Sequence, residues 1–319
     1  MKILVTGGAG FIGSNFIHYQ LENYDDQIIN VDKLSYAGNL DNLKDIEADP
    51  NYEFKQLDIC SREKIDHLMH RGIDYIVNFA AESHVDRSID DPSVFVKTNV
   101  EGTQNLLDLA LKFGVKKFIQ ISTDEVYGSL GEEGEFTETS PLNPSSPYSA
   151  SKAAADLLVQ SYAKTYDLPV NITRCSNNFG PYQYPEKLIP LFIINALHDK
   201  KLPLYGDGSN VRDWIYVKDH CKAVDLIMRR GRKGEIYNIG ANNEKSNLEI
   251  TRTILSLLSK SELLIKHVED RQGHDYRYAV DSSKIKNDLD WEAEYDFENS
   301  IRKTLNWYLD HKKWWQKLI

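Results

Sequence analysis

The chain has 319 residues, with 48 acidic side chains against 38 Lys and Arg, a net charge of -10 and a pI of about 5.4; the length suits one large domain or two closely packed ones, and the charge excludes the broad basic face of a nucleic-acid binder. Apolar residues at 41% and charged residues at 27% are the proportions of a globular protein, and without an apolar run of about 18 residues, and with the N-terminal run broken at Gly7, neither a membrane span nor a secretion leader is expected. Cys60, Cys175 and Cys221 lie far apart in no CxxC or His-paired cluster, so neither a disulfide framework nor a metal site is expected, and the reading is a cytoplasmic protein.

"KILVTG" opens the chain as a strand, and Gly7, Gly10 and Gly13 follow in "VTGGAGFIGSNF", where a helix begins. Glycines there let the chain turn tightly and bring backbone N–H groups against a pyrophosphate at the helix N-terminus. The second strand, "IINVD", ends in Asp32, near the offset of about 20 residues at which an acidic group meets the adenosine ribose. Its carboxylate repels a 2′-phosphate, which favours NAD over NADP. Asp58 and Ile59 in "QLDI" suit the adenine edge, and Asp58 equally suits an N-cap before "SREKIDHL". The strand "YIVNFAA" delivers Ala80, Ala81 and Ser83 beside the middle of the cofactor. "TNVEGTQNLLDLALKFG" is helical, "KKFIQIST" is a strand ending at Thr123, "YSASKAAADLLVQSYAKTYD" is a long helix, and "VNITRC" is a strand. This alternation implies an α/β fold, a Rossmann-like doubly wound parallel sheet, over residues 1–175.

Beyond Cys175, the turn-rich stretches "NNFGPYQYPEKLIP" and "YGDGSNVRDW" interleave with helices near residues 187–199, 217–230, 247–260 and 298–310. Residues 176–319 read as a smaller substrate-binding domain closing over the carboxyl edge of the sheet. "EIYNIG" reads as one more strand of the main sheet, so a segment near 213–240 returns to the first domain and the two are interwoven.

Two places carry chemistry. Tyr148 and Lys152 stand four apart near the start of a helix and so share a face. A phenol titrates near pH 10 and is a poor base at neutrality, but a nearby cation favours phenolate; a fall of about three units needs about 4 kcal/mol from the lysine and the nicotinamide charge. The second place is "ISTDEVYG", where Thr123 is followed by Asp124 and Glu125. Neighbours on a regular strand face opposite ways, so both acids reach one ligand only if the backbone leaves strand geometry at 124. An ionised Glu125 beside it in a partly dry pocket would raise the pKa of Asp124 and keep it an acid.

Together "TGGAGFIG", "STDEVYG", "YSASK", "CSNNFGPYQYPEKLIP", "LPLYGDGSNVRDWIYVKDH" and "DRQGHD" resemble the extended short-chain dehydrogenases and, within them, the dTDP-glucose 4,6-dehydratases, over nearly the whole chain. The resemblance implies tightly bound NAD, regenerated in each turnover, with dTDP-glucose as substrate. Thr123 would hold the 4-hydroxyl while Tyr148 takes its proton and hydride leaves carbon 4. Glu125 would then remove the carbon 5 proton as Asp124 protonates the departing 6-hydroxyl. On the cofactor side the resemblance adds Phe11, Ile12, Lys33, Ser35, Asn99 and Asn178. For the nucleotide sugar it implies Ser83, His84, Asn177, Lys187, Leu188, Pro203, Tyr205, Arg212, Asn247, Arg271, His274 and Tyr278, with Arg212 the bidentate diphosphate candidate. Gln272 stands where the family usually has proline, and Tyr276 where arginine is common.

The resemblance also implies a homodimer through a four-helix bundle built from "TNVEGTQNLLDLALKFG" and the Tyr148 helix, and a product used in rhamnose-type deoxysugar biosynthesis. Competing readings are another NAD-dependent nucleotide-sugar dehydratase, a carbon 4 epimerase, or a catalytically silent dinucleotide sensor. Arg229, Arg230 and Arg232 read as solvated helix-end charge.

Overall fold

The computed structural model describes residues 1–319. Six strands alternate with helices through the first half: β1 (Lys2–Thr6), β2 (Gln27–Asp32), β3 (Tyr52–Gln56), β4 (Tyr75–Asn78), β5 (Lys117–Thr123) and β6 (Val170–Cys175). The second half adds β7 (Asn177–Phe179), β8 (Leu202–Tyr205), β9 (Val211–Tyr216), β10 (Ile236–Ile239), β11 (Glu244–Ser246) and β12 (Ile265–Val268). The main sheet has seven strands in the order β10-β6-β5-β4-β1-β2-β3, all parallel. β11-β9-β7 form a second sheet and β12-β8 a third.

Helices cover both faces of the main sheet, which is why β1 and β4 at its centre carry the uninterrupted apolar runs ILV and YIV. On one face, helices Phe11–Asn23 and Val217–Arg230 bury Ile17, Val224 and Ile227 against Ile3 and Val5. On the other, helices Arg62–Met69, Thr103–Phe113 and Pro147–Tyr166 bury Ile65, Leu107 and Val159. Each such side chain contributes about 1.5–3 kcal/mol of transfer free energy. A third core, with Phe179, Phe192, Trp214, Ile250, Ile301 and Tyr308, joins helices Leu188–Leu197, Asn247–Leu257 and Phe297–Asp310 to the small sheets. Strand order reverses between β1 and β4, so a crevice opens at their carboxyl ends, where ligands of open α/β sheets bind.

β9 belongs to the small sheet, and the chain crosses back only with helix Val217–Arg230 and β10. β3, the strand that leads into "QLDI", is the edge strand, half-buried from Tyr52 to Lys55 and exposed at Gln56, and "YEFKQ" carries no apolar run. Arg229 is not a solvated charge. It pairs with Asp26 at 2.5 Å and Asp225 at 2.7 Å and lies over the Tyr24 ring, tying helix Val217–Arg230 to the first strand–helix unit.

Beneath β6, Arg174 and Asp156 form an ion pair at 2.9 Å with both side chains almost wholly buried. Asp156→Ala leaves that guanidinium uncompensated, and the expected cost is about 3–5 kcal/mol, a fall in Tm on the order of 10 °C by calorimetry. The double change Asp156→Leu with Arg174→Met is expected to recover most of the loss.

Candidate active site

The crevice is a cavity of about 300 Å³ running from the glycine loop to the end of β6. Gly7 has φ +70°, and a Cβ there would stand 2.5 Å from the Ala80 backbone nitrogen; a Cβ at Gly13 would stand 2.4 Å from the Gly7 carbonyl oxygen. Only glycine permits this packing, which leaves the N-terminus of helix Phe11–Asn23 facing the cavity. At the end of β2, Asp32 accepts hydrogen bonds from the backbone N–H groups of Ala9 (3.0 Å) and Leu34 (2.8 Å). Buried oxygen atoms of Tyr36, Asp124, Asn177, Gln183 and Glu186 have no partner within the protein, and all five residues line the cavity. Buried polar atoms are rarely left so, and here they fit a polar ligand that supplies the missing bonds. A glycine loop with no room for side chains, a ribose-side carboxylate and these orphaned atoms together fit a dinucleotide with a second polar ligand beside it.

Every residue expected on the dinucleotide side lines this cavity except Asn99. Asn99 is fully committed elsewhere: its Oδ1 accepts from the Glu82 backbone N–H at 2.9 Å, and its Nδ2 donates to the Glu82 carbonyl at 3.1 Å and the Ser151 hydroxyl at 2.8 Å. It braces the loop after β4 against the Tyr148 helix.

At the end of β5 the backbone turns into a 3-10 helix over Asp124–Tyr127, capped by Thr123, whose Oγ1 accepts from the Glu125 N–H at 3.3 Å. That turn breaks the strand alternation, and Thr123, Asp124 and Glu125 all line the cavity. Burial pushes the Asp124 carboxyl up to about 8, with the Glu125 charge adding to the effect. Burial also raises Glu125, but Arg271, Arg212 and Lys187 oppose it. The cations favour charge on Glu125, so Asp124 holds the proton at neutral pH. A step that uses Asp124 as its general acid needs this proton, and its rate is expected to fall about tenfold per pH unit above about 8. A kcat profile from pH 6 to 10 checks this, and Asp124→Asn should abolish the limb.

Opposite the acids, Ser146 and Ser149 form a capping box and Pro147 fills the first turn, so the helix starts at a fixed point and Tyr148 projects into the cavity. Burial raises the Tyr148 phenol well above its usual value, and Glu125, Cys175 and Asp124 add to the rise. The Lys152 ammonium donates to the Ile121 carbonyl at 2.6 Å. The lowered phenol expected from the YxxxK spacing is therefore not a property of the protein alone.

On the substrate side, Ser83, Asn177 and Lys187 line the same cavity, and Lys187 donates to the Ser83 carbonyl at 3.2 Å. Arg212, the expected diphosphate fork, is buried on β9. Its guanidinium donates to the carbonyls of Val211, Asp275 and Tyr276 and lies 4.3 Å over the Tyr278 ring, so it anchors the 275–278 segment and contributes charge to the two acids. His84 caps helix Val85–Asp90, its Nδ1 accepting from the Arg87 N–H at 3.3 Å. Arg271 reaches Asp86 at 3.8 Å, Tyr205 meets Asp86 at 3.4 Å, and His274 pairs with Asp270 beside the Tyr205 ring, forming an outer rim. Pro203 stands on β8, Leu188 packs on the third core, and Asn247 opens helix Asn247–Leu257; none of the three lines the cavity.

A family model described as GDP-mannose 4,6 dehydratase matches residues 4–304. The chain belongs to this family, among the extended short-chain dehydrogenases. It is 56% identical to the low-salt glycan biosynthesis protein Agl12 of Haloferax volcanii, over 97% of this chain and 99% of that protein. It is 50% identical to the dTDP-glucose 4,6-dehydratase of Neisseria meningitidis serogroup B, over 100% of this chain and 96% of that one. The crystal structure of DesIV, a dTDP-glucose 4,6-dehydratase from Streptomyces venezuelae solved with NAD bound, superposes with a TM-score of 0.98 at 48% identity, covering 100% of both chains. The dehydratase cleft also contains Tyr36, Thr98, Ser176, Gln183, Tyr184 and Glu186, which the sequence reading did not single out. For Gln183, Tyr184 and Glu186 the available signal is the density of polar side chains in "YQYPEK", a partly buried turn whose polar groups need partners.

Proposed function

We infer that the chain is a dTDP-glucose 4,6-dehydratase, converting dTDP-glucose to dTDP-4-keto-6-deoxyglucose and water. The observation that carries this is the convergence of Thr123, Asp124, Glu125 and Tyr148 on the cavity that also holds the glycine loop, supported by identity near 50% to dehydratases of that name. NAD, when bound, accepts hydride from carbon 4 and returns it to carbon 6, and its nicotinamide brings positive charge to the phenol. Thr123 orients the 4-hydroxyl and Tyr148 takes its proton. The 4-keto group acidifies carbon 5, Glu125 removes that proton, and Asp124 protonates the 6-hydroxyl as it leaves; as hydride reaches carbon 6, Glu125 returns the proton to carbon 5, and the proton taken by Tyr148 replaces the one lost from Asp124. Sugar and cofactor end with no net oxidation, so the overall change is the loss of water. Proton NMR of the product formed from dTDP-glucose tests the reading: a methyl signal should replace the carbon 6 methylene, whereas a carbon 4 epimerase would produce none.

The finer reading is a cytoplasmic homodimer serving rhamnose-type deoxysugar synthesis. Three free cysteines suit a reducing compartment, and no helix is long and apolar enough to cross a membrane. Leu157 at 57% and Tyr166 at 53% exposure on helix Pro147–Tyr166, with Leu111 at 38% on helix Thr103–Phe113, leave apolar side chains facing outward where a four-helix bundle would cover them. Sedimentation should give twice the chain mass for the native protein and the single-chain mass for Leu157→Glu.

A further inference from the structure

Three charged groups meet where the adenosine end of the cleft leaves the sheet. Asp32 is fixed, with both carboxylate oxygens accepting backbone N–H groups. Lys33 also lines the cavity, and its ammonium is held at 2.9 Å by Glu82 and donates at 3.0 Å to the Thr98 hydroxyl. Glu82 is only 9% exposed. Its own backbone N–H and carbonyl are both bonded by the Asn99 side chain, which is tied in turn to Ser151 on the Tyr148 helix. Asn99 thus fixes the backbone of Glu82, whose carboxylate pairs with Lys33. The two groups act on the Asp32 carboxyl with opposite signs, which places all three within electrostatic reach of one another.

In folds of this type an acidic group at the end of the second strand meets the ribose 2′-hydroxyl of NAD, whereas a nearby cation accommodates the 2′-phosphate of NADP. This chain carries both, side by side, so Asp32 alone does not settle the choice. A free Lys33 beside it would offset much of the repulsion felt by a 2′-phosphate.

We propose that Glu82 is a specificity-determining residue that makes the site take NAD and reject NADP, by neutralising Lys33 and holding it away from the ribose. With Glu82 the three groups sum to one negative charge; without its charge they sum to zero. The proposal rests on reading the cleft as a dinucleotide site.

Glu82→Gln keeps the shape and an acceptor for Lys33 but removes the charge. Purified enzyme is equilibrated with equal, saturating NAD and NADP, freed of unbound nucleotide and denatured, and the released nucleotides are measured by liquid chromatography. The ratio of NADP to NAD is expected to rise tenfold or more in Glu82→Gln, equivalent to about 1.4 kcal/mol, and to return to the native value in Glu82→Gln with Lys33→Met. An unchanged ratio in Glu82→Gln, or a rise that survives in the double variant, overturns the proposal. If Glu82→Gln yields no folded protein, Glu82→Asp withdraws the carboxylate from Lys33 and should raise the ratio by a smaller factor; no rise there overturns it as well. Total nucleotide per chain reports separately on the dinucleotide reading: a native protein that carries neither nucleotide sinks both.

Discussion

Asp124→Asn combined with Glu125→Gln is expected to leave an enzyme that oxidises the sugar at carbon 4 but no longer removes water from it. Both substituted side chains keep their size and hydrogen-bonding capacity, so the cavity that the two residues line is preserved. What disappears is the proton on Asp124 and the basic carboxylate of Glu125. General acid and general base each contribute roughly 10²–10⁴-fold. Because they act in one concerted elimination their effects will not add, and the double variant should lose about 10⁴-fold in water loss. Acid quench of enzyme mixed with dTDP-glucose, followed by mass spectrometry, should reveal bound sugar lighter by two hydrogens and no dehydrated product. Normal product at the native rate would mean that the two acids were assigned the wrong roles.

Tyr148→Phe should stop the sequence one step earlier. The phenol is buried and neutral at rest, raised by burial and then by the Glu125 charge, and the hydroxyl of carbon 4 has no other proton acceptor placed on that side of the cavity by helix Pro147–Tyr166. Phenylalanine retains the ring contact with Phe95, whose centroid lies 6.3 Å away, so substrate binding should change little. The expected result is a fall in kcat of about 10²–10⁴-fold with KM nearly unchanged, and neither the oxidised sugar nor dehydrated product after acid quench. A variant that accumulates oxidised sugar would show that Tyr148 is not the group that accepts the first proton.

The parts of this molecule legible in its sequence share a physical cause. Central strands such as β1 and β4 are buried on both faces and so spell continuous apolar runs; β3, at the sheet edge and largely half-buried, spells none. The Thr123–Glu125 and Tyr148–Lys152 groups were readable because each sits within a single turn of backbone, where spacing dictates direction. Arg212, His84 and Asn99 were not. Whether each faces a ligand or a neighbouring part of the protein depends on what other segments bring to it: the carbonyls of residues 275 and 276 for Arg212, the start of the next helix for His84, and the loop at Glu82 for Asn99. The same dependence hid the Lys33–Glu82 pair, whose members come from the ends of two different strands.

The measurement that bears most directly on the central claim is mass spectrometry of the sugar nucleotide after incubating the purified protein with dTDP-glucose and no added cofactor, with UDP-glucose in parallel. Loss of one water from the dTDP sugar, with the UDP sugar unchanged, is the result expected of a dehydratase that retains its NAD and reads thymidine. Unchanged mass in both, even after NAD is supplied, would contradict the assignment of Asp124 and Glu125 to elimination in this sugar.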